Sequence, residues 1–252
     1  MGASPAMARH LVLSDIHANL TALEAVLQAA GQWDDVLCLG DLVGYGPDPN
    51  EVVECVRALG ARAVRGNHDR VAAGLAEPEE FNAAARMAIE WTRHQLRSQA
   101  LSYLRQLPPG PVESDGLILV HGAVSDEDRY VFTPREAFEE LQRSPGRVTL
   151  FGHTHVQGGF LLQGQRLGEI RVEPDPAGAA AVLELDPATR YFINPGSVGQ
   201  PRDGDPRAAF AVIEDASRVA FYRVPYDIAA VQQRMAAAGL PEALILRLAF
   251  GR

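Results

Sequence analysis

The 252-residue sequence predicts an α/β fold, two packed β-sheets with helices outside them, and three observations carry that reading. Apolar runs rich in β-branched residues alternate with helical periodicities through the first half, the βαβα rhythm of a largely parallel inner sheet. From Gly158 onward strand-length pieces are divided by Gly and Pro turns, which favours antiparallel pairing. Hydrophobic residues make up 47% of the chain, enough to bury a large core. With no internal repeat and no low-complexity linker, one domain is expected over 1–252, residues 1–8 forming a flexible N-terminus and 227–252 the C-terminal helices.

Residues 9–14 read as the first strand. The first helix is expected to open on a Thr21/Glu24 capping box and to bury Leu20, Leu23, Leu27 and Ala30. A second strand spans 35–39. In Asp48-Pro49-Asn50-Glu51, Asp48 is placed to cap a second helix, Pro49 suits its first position and Glu51 closes the box; Val52, Val53, Val56 and Leu59 form the inward stripe. Residues 61–65 make a third strand. The segment 79–107 reads as helical, burying Phe81, Ala85, Ala88, Ile89 and Leu96, and Pro108-Pro109 stops it. Strands at 117–120 and 148–151 flank a helix beginning near Pro134. Later strands are expected at 159–163, 166–172, 180–185, 191–193, 208–213 and 218–224, and helices at 227–238 and 241–248.

Charge narrows the function classes. There are 23 basic and 32 acidic residues, a net charge of −9, and no Lys/Arg run that would track a nucleic-acid backbone, so no nucleic-acid groove is expected. The first ten residues lack the apolar core of a signal peptide, no apolar run is long enough to span a bilayer, and Ala6 stands where myristoylation needs Ser or Thr. Two cysteines, Cys38 and Cys55, allow neither a disulfide framework nor a thiolate metal site and suit a reduced, cytoplasmic protein. Cys38 reads as a buried strand residue and Cys55 as a helix residue, neither with a catalytic role.

Five of the seven histidines sit in short polar motifs, and each motif follows an expected strand. Ser14-Asp15-Ile16-His17 follows the first, Gly40-Asp41 the second and Gly66-Asn67-His68-Asp69 the third; His121-Gly122 and Gly152-His153-Thr154-His155 follow the next two. Carboxyl ends of parallel strands line one edge of a sheet, where ligands bind, so five motifs are expected to converge on one rim. Asp, His and Asn without Cys offer oxygen and imidazole donors suited to Mn, Fe, Zn, Ni or Mg. Read as extended segments, Asp15/His17 and His153/His155 would each aim two donors to one side.

The ordered series DxH, GD, GNHD, VHG and GHTH resembles the calcineurin-like metallophosphoesterases, in particular their small bacterial and archaeal phosphodiesterase branch, over residues 9–202. The resemblance implies a four-layer α/β/β/α sandwich of two mixed sheets flanked by helices, and a site for two divalent metal ions, manganese first among the candidates. Asp15, His17 and His155 would hold one ion, Asn67, His121 and His153 the other, and Asp41 would bridge them. A bridging hydroxide would attack phosphorus in a phosphodiester or small phosphomonoester, nucleotides included, and His68 would protonate or stabilise the leaving oxygen. Asp69 would orient neighbouring groups, and Arg202, in the Gly/Pro-rich stretch 195–207, would reach the substrate phosphate. Four positive charges from two ions against about two from Asp15 and Asp41 and one from hydroxide leave the site near +1, so the acidic chain can still take an anionic substrate. The partner expected is thus a small phosphate ester, with no membrane; an oligomer is left open.

Taken singly, Asp15, Asp41 and Asn67 are ordinary turn residues and His121 an ordinary satisfied core histidine; together they favour ligation. His94 reads as a surface residue. The Asp-Arg pair that protein phosphatases and symmetric dinucleoside polyphosphate hydrolases carry after the GD motif is replaced here by Gly44 and Tyr45, which speaks against protein phosphatase activity and leaves the orientation of His68 without its usual source. Two other classes make different demands on the sequence. A scaffold that keeps this fold without chemistry would show degraded ligands, and none is missing. An all-helical HD phosphohydrolase would need His68-Asp69 inside a helix, whereas the pair is expected to end a strand.

Overall fold

Strand β1 (Arg9–Leu13) shows the period of two that organises the molecule: Leu11 and Leu13 pack on helices, while Val12 packs on the opposite sheet. Strand β2 (Asp35–Cys38) repeats it, with Val36 and Cys38 toward the helices and Leu37 toward the other sheet. The computed structural model describes residues 8–173, 175 and 178–252; the expected N-terminal tail falls almost wholly outside them.

Between these strands and after them run α1 (Leu20–Ala29), α2 (Pro49–Ala58), β3 (Arg62–Ala63), α3 (Asn67–Ala72), α4 (Ala83–Gln95) and α5 (Ser98–Gln106). Next come β4 (Val112–Ser114), β5 (Leu117–Leu119), α6 (Pro134–Arg143), β6 (Val148–Leu150), β7 (Gly158–Gln163) and β8 (Arg166–Arg171). The chain finishes with β9 (Ala181–Glu184), β10 (Thr189–Asn194), β11 (Ala208–Glu214), β12 (Arg218–Val224), α7 (Ile228–Ala237), α8 (Glu242–Arg247) and a 3₁₀ turn at Leu248–Phe250. One sheet has the order β3-β2-β1-β11-β12-β9 and the other β4-β5-β6-β10-β7-β8. Val12, Leu37, Leu39, Leu119, Leu150, Ile193 and Phe221 fill the space between them. Helices α1 to α5 cover the first sheet and α6 the second, through Phe151, Phe160 and Phe192, giving the α/β/β/α layering. No helix among the described residues is long and apolar enough to cross a membrane.

Several expectations are corrected by long-range contacts. The inner sheet is not largely parallel: β1–β2–β3 and β5–β6–β10 pair parallel, but β11, from far along the chain, adds antiparallel to β1 in one sheet, and β4 and β7 add antiparallel to β5 and β10 in the other, so both sheets are mixed. Helix α1 is capped by Asn19, whose Oδ1 accepts from the Ala22 N–H at 3.1 Å, not by Thr21. The Thr21 hydroxyl accepts from Arg234 of α7 at 2.8 Å, and the same guanidinium takes Asp48 at 2.9 Å, so Asp48 stands at the N-cap of α2 without capping it. The segment 79–107 contains two helices rather than one run. At the break, Asn50 of α2 donates to the Gln95 carbonyl at 2.9 Å and accepts from the Arg97 N–H at 2.7 Å, satisfying the backbone groups that the helix ends leave over. The short strand β4 and helix α3 were not anticipated. His68 and Asp69 therefore lie in the first turn of a helix, and what separates this chain from an all-helical HD protein is its two sheets, not the local structure of the dipeptide.

Candidate metal centre

Asp15 follows β1, Asp41 follows β2, Asn67 and His68 follow β3, His121 follows β5, and His153 and His155 follow β6. Parallel pairing of these strands brings their carboxyl ends to one rim, and all the motifs meet there. Asp15, His17, Asp41 and His155 form one donor set and Asp41, His121 and His153 another, the donor atoms of each lying within 4.8 Å of one another. Asp41 belongs to both. Asn67 joins the second set through Oδ1, 3.2 Å from His121 Nε2.

The segments are not extended, as the spacing argument assumed. Asp15, His17, Asp41, His153 and His155 all take left-handed backbone conformations, with φ of 53°, 48°, 54°, 65° and 59°. Asp and His tolerate this region better than branched residues do, yet each still costs on the order of 1–3 kcal/mol, a strain that persists only where surrounding contacts impose it. Those contacts are visible. The Asp15 N–H donates to the Gly40 carbonyl at 3.0 Å, His17 N–H to the Asp41 carbonyl at 2.9 Å and His153 N–H to the Asp15 carboxylate at 3.1 Å, so each loop braces the next.

Each histidine is held by one ring nitrogen and offers the other. Nδ1 of His17, His121 and His155 faces the carbonyls of Val43, Leu39 and Gln200 at 3.1, 2.7 and 2.6 Å, while His153 uses Nε2 toward the Asp128 carbonyl at 3.0 Å. An N–H donated to a carbonyl leaves a lone pair on the opposite nitrogen. The offered nitrogens of His17 and His155 lie 3.2 Å apart, those of His121 and His153 3.1 Å apart, and His155 and His121 stand 3.2 and 3.4 Å from Asp15 and Asp41 oxygens. Buried lone pairs and carboxylates converging at such distances repel one another unless a cation lies among them, and oxygen with imidazole is the donor chemistry of divalent first-row metals. The residues fit a divalent metal centre.

Asp69 is buried and grips the loop carrying Asp41: its carboxylate accepts from Leu42, Val43 and Gly66 N–H groups at 2.9, 3.2 and 3.0 Å. It positions this loop rather than the His68 ring. His68 donates its backbone N–H to Asp41 Oδ1 at 2.9 Å. Its ring lies between Tyr45 and Phe81, with centroids 4.4 and 4.5 Å away, and His17 meets it edge-on at 4.9 Å. This aromatic clamp supplies the orientation that the absent Asp-Arg pair leaves open. Gly44 makes it feasible, since a Cβ there would run into His68 Nδ1, and its φ of +88° disfavours any side chain. Arg202 lies over the Tyr45 ring at 5.9 Å and donates to Gln200 Oε1 at 3.0 Å.

Sequence reasoning missed Tyr45, Phe81 and Tyr130, which stacks on His153 at 3.7 Å. The Gly44-Tyr45-Gly46 triplet after the GD motif was the available signal for Tyr45; nothing local marks the other two. His94 is exposed; His10, buried in β1 with its Nδ1 3.7 Å from Asp35, belongs to a third, separate donor group with Asp35 and Asp115 and shares no residue with the two sets above.

Burial lowers His17, His155, His68 (to about 4) and His153 (to about 3), with neighbouring carboxylates opposing it only in part. Burial also depresses His121, but the Asp41 carboxylate more than reverses it, to about 10. Burial raises Asp15 and Asp41, yet His155 and His121 respectively outweigh it and hold both carboxyls below their usual range. For Asp69, burial and the Asp41 charge prevail, raising it to about 7. A histidine with a depressed folded value contributes stability above its unfolded value of 6.5 that is lost as pH falls toward the folded one. Asp69 works the other way between 3.8 and about 7, one group against four, while His121 loses its contribution only as pH rises toward about 10. Chelator-treated protein should therefore lose stability between about pH 6.5 and 4, its urea midpoint falling by on the order of 1 M. A midpoint equal at pH 7 and 4.5 would contradict this.

Residues 8–217 match the family model of the calcineurin-like phosphoesterase superfamily domain. The crystal structure of a metallophosphoesterase from Sphaerobacter thermophilus is 42% identical with a TM-score of 0.83, covering 97% of this chain and 99% of that one. The uncharacterized protein MJ0912 of Methanocaldococcus jannaschii is 32% identical over 96% of this chain and 97% of its own length. A symmetrical bis(5'-nucleosyl)-tetraphosphatase of Pectobacterium carotovorum is 30% identical, over only 48% of this chain and 45% of that protein. Ordered motifs, layered fold and matched span agree over most of the sequence: the chain belongs to the calcineurin-like phosphoesterase superfamily.

Proposed function

We propose that this protein is a metal-dependent phosphoesterase that hydrolyses phosphodiesters or small phosphomonoesters. The observation that carries the reading is the pair of donor sets sharing Asp41, which suits two divalent cations side by side. Asp15, His17 and His155 would hold one, Asn67, His121 and His153 the other, with manganese the first candidate and Fe, Zn, Ni and Mg the alternatives. When bound, such a pair supplies Lewis acidity at the phosphoryl oxygens and lowers the pKa of water to give the nucleophile. A new P–O bond forms from water as the bond to the leaving alcohol breaks, and one water proton ends on the leaving oxygen.

The chain's own residues do the rest. Arg202 donates to Gln200 Oε1 at 3.0 Å and to the Tyr45 hydroxyl at 3.4 Å, and the rest of its planar fork suits a phosphate oxygen beside the centre. His68, kept neutral by burial, carries one ring proton; with Nδ1 facing Gly44 and without a partner, an Nε2–H would be free to donate a hydrogen bond that stabilises charge developing on the leaving oxygen, while the proton itself comes from water. The complete donor set disfavours a scaffold role. Nucleotides belong among the substrates to test, on the half-length resemblance to the tetraphosphatase.

The test is hydrolysis of bis-p-nitrophenyl phosphate by chelated protein with and without Mn²⁺. Addition of Mn²⁺ is expected to raise the rate at least about 100-fold, consistent with the several kcal/mol that a metal contributes to such a transition state. Equal turnover in the chelated protein, or none with any of the five cations, would overturn the assignment.

A further inference from the structure

We propose that the cavity beside His68 is a leaving-group pocket that selects a flat, uncharged leaving group on a single phosphate, and that carboxylates at its rim exclude polyphosphate chains. The inference rests on the phosphoesterase reading above. A cavity of about 520 Å³ opens from Asn67, His68 and His153 and runs between Phe81 and Tyr130. Phe81 backs His68 at 4.5 Å and Tyr130 backs His153 at 3.7 Å, so an aromatic ring stands behind each histidine that faces the cavity. Tyr130 also stacks on Phe132, at 5.4 Å, yet remains 42% exposed, which leaves part of the side chain open to a ligand. Aromatic surfaces favour planar groups, which they stack without regard to detailed sequence or substitution.

The mouth has the opposite character. Glu77, Glu79 and Glu80 line it, all exposed. Arg93 stands 3.6 Å from Glu77, while Glu79 and Glu80 have no ion-pair partner among the described residues. The cation within the cavity, Arg70, is already committed, to Glu127 at 2.6 Å and to Asp128. The positive charge that a phosphate would meet is thus concentrated at the candidate metal centre and Arg202, with Arg247 near enough to Arg202, Tyr45 and Tyr130 to interact with them, and not along the glutamate-lined side of the cavity. A substrate with one phosphate places its whole charge there and its leaving group between the aromatic rings. A tetraphosphate would carry its remaining phosphates out past the glutamates.

The experiment compares kcat/KM for bis-p-nitrophenyl phosphate and diadenosine tetraphosphate on Mn²⁺-loaded protein. The diester is expected to be preferred by about 100-fold or more. In the E77Q/E79Q/E80Q variant that ratio should narrow about tenfold, roughly twofold for each exposed carboxylate, through a lower KM for the tetraphosphate. Tyr130→Ala should raise KM for the diester about tenfold and Tyr130→Phe should restore it, both measured at saturating Mn²⁺ because Tyr130 stacks on His153. A preference for the tetraphosphate, or a ratio unmoved in the triple variant, overturns the pocket assignment while leaving the phosphoesterase reading intact. Turnover of neither substrate overturns both.

Discussion

Replacing Asp41 with Asn is expected to lower phosphoester hydrolysis by at least about 10³-fold, equivalent to about 4 kcal/mol of transition-state stabilisation, and to lower the amount of Mn²⁺ retained. Asp41 is the one residue in both donor sets, fully buried, with His17 Nε2 3.6 Å and His121 Nε2 3.4 Å from the same oxygen, Oδ2. Asn has the same shape but withdraws one negative charge from both cation positions at once. Its Oδ1 can still accept the His68 N–H, made at 2.9 Å in the native chain, so helix α3 should stay in place. Metal analysis, circular dichroism and turnover read together separate lost chemistry from lost folding. Turnover within tenfold of the parent, with Mn²⁺ content unchanged, would refute the shared-ligand role.

The second large effect is expected at a position with no functional group. Gly44→Ala should reduce kcat about 10²- to 10³-fold, approaching His68→Ala, because its Cβ would occupy the space of His68 Nδ1 and displace the ring from its clamp. The loss should grow with the pKa of the leaving group. A p-nitrophenolate departs with little help, whereas an alkoxide needs the hydrogen bond that His68 would donate to its developing charge, so the ratio of aryl to alkyl diester rates should rise in both variants. A merely structural defect would slow both substrates equally and reduce Mn²⁺ affinity. Equal losses on the two esters would therefore remove His68 from leaving-group stabilisation.

Much of this centre could be read in the chain because its chemistry is local in sequence. Asp, His and Asn were legible as donors by residue type, and their placement after apolar β-branched runs located them at strand ends. What was misread shares one cause. Thr21 and Asp48 have the right chemistry to cap their helices, but Arg234, some 200 positions away, engages both. The segment 79–107 is uniformly helical in its periodicity, yet Asn50 offers its backbone an alternative set of hydrogen bonds at 95–97.

By itself, then, the sequence determined the donor inventory, the order of elements along the chain and the layered α/β class, because these follow from residue type and hydrophobic period. Only the tertiary structure decided the left-handed turns that aim Asp15, His17, His153 and His155, the ring nitrogen each histidine offers, the insertion of β11 beside β1, and the seat of His68 between Tyr45 and Phe81. A local preference is worth a few tenths of a kcal/mol to about 1 kcal/mol per residue, whereas a buried contact or a satisfied polar group contributes about 1–3. Where the two disagree, the partner brought from elsewhere in the chain wins, and in this protein the loops that build the metal centre are where they disagree.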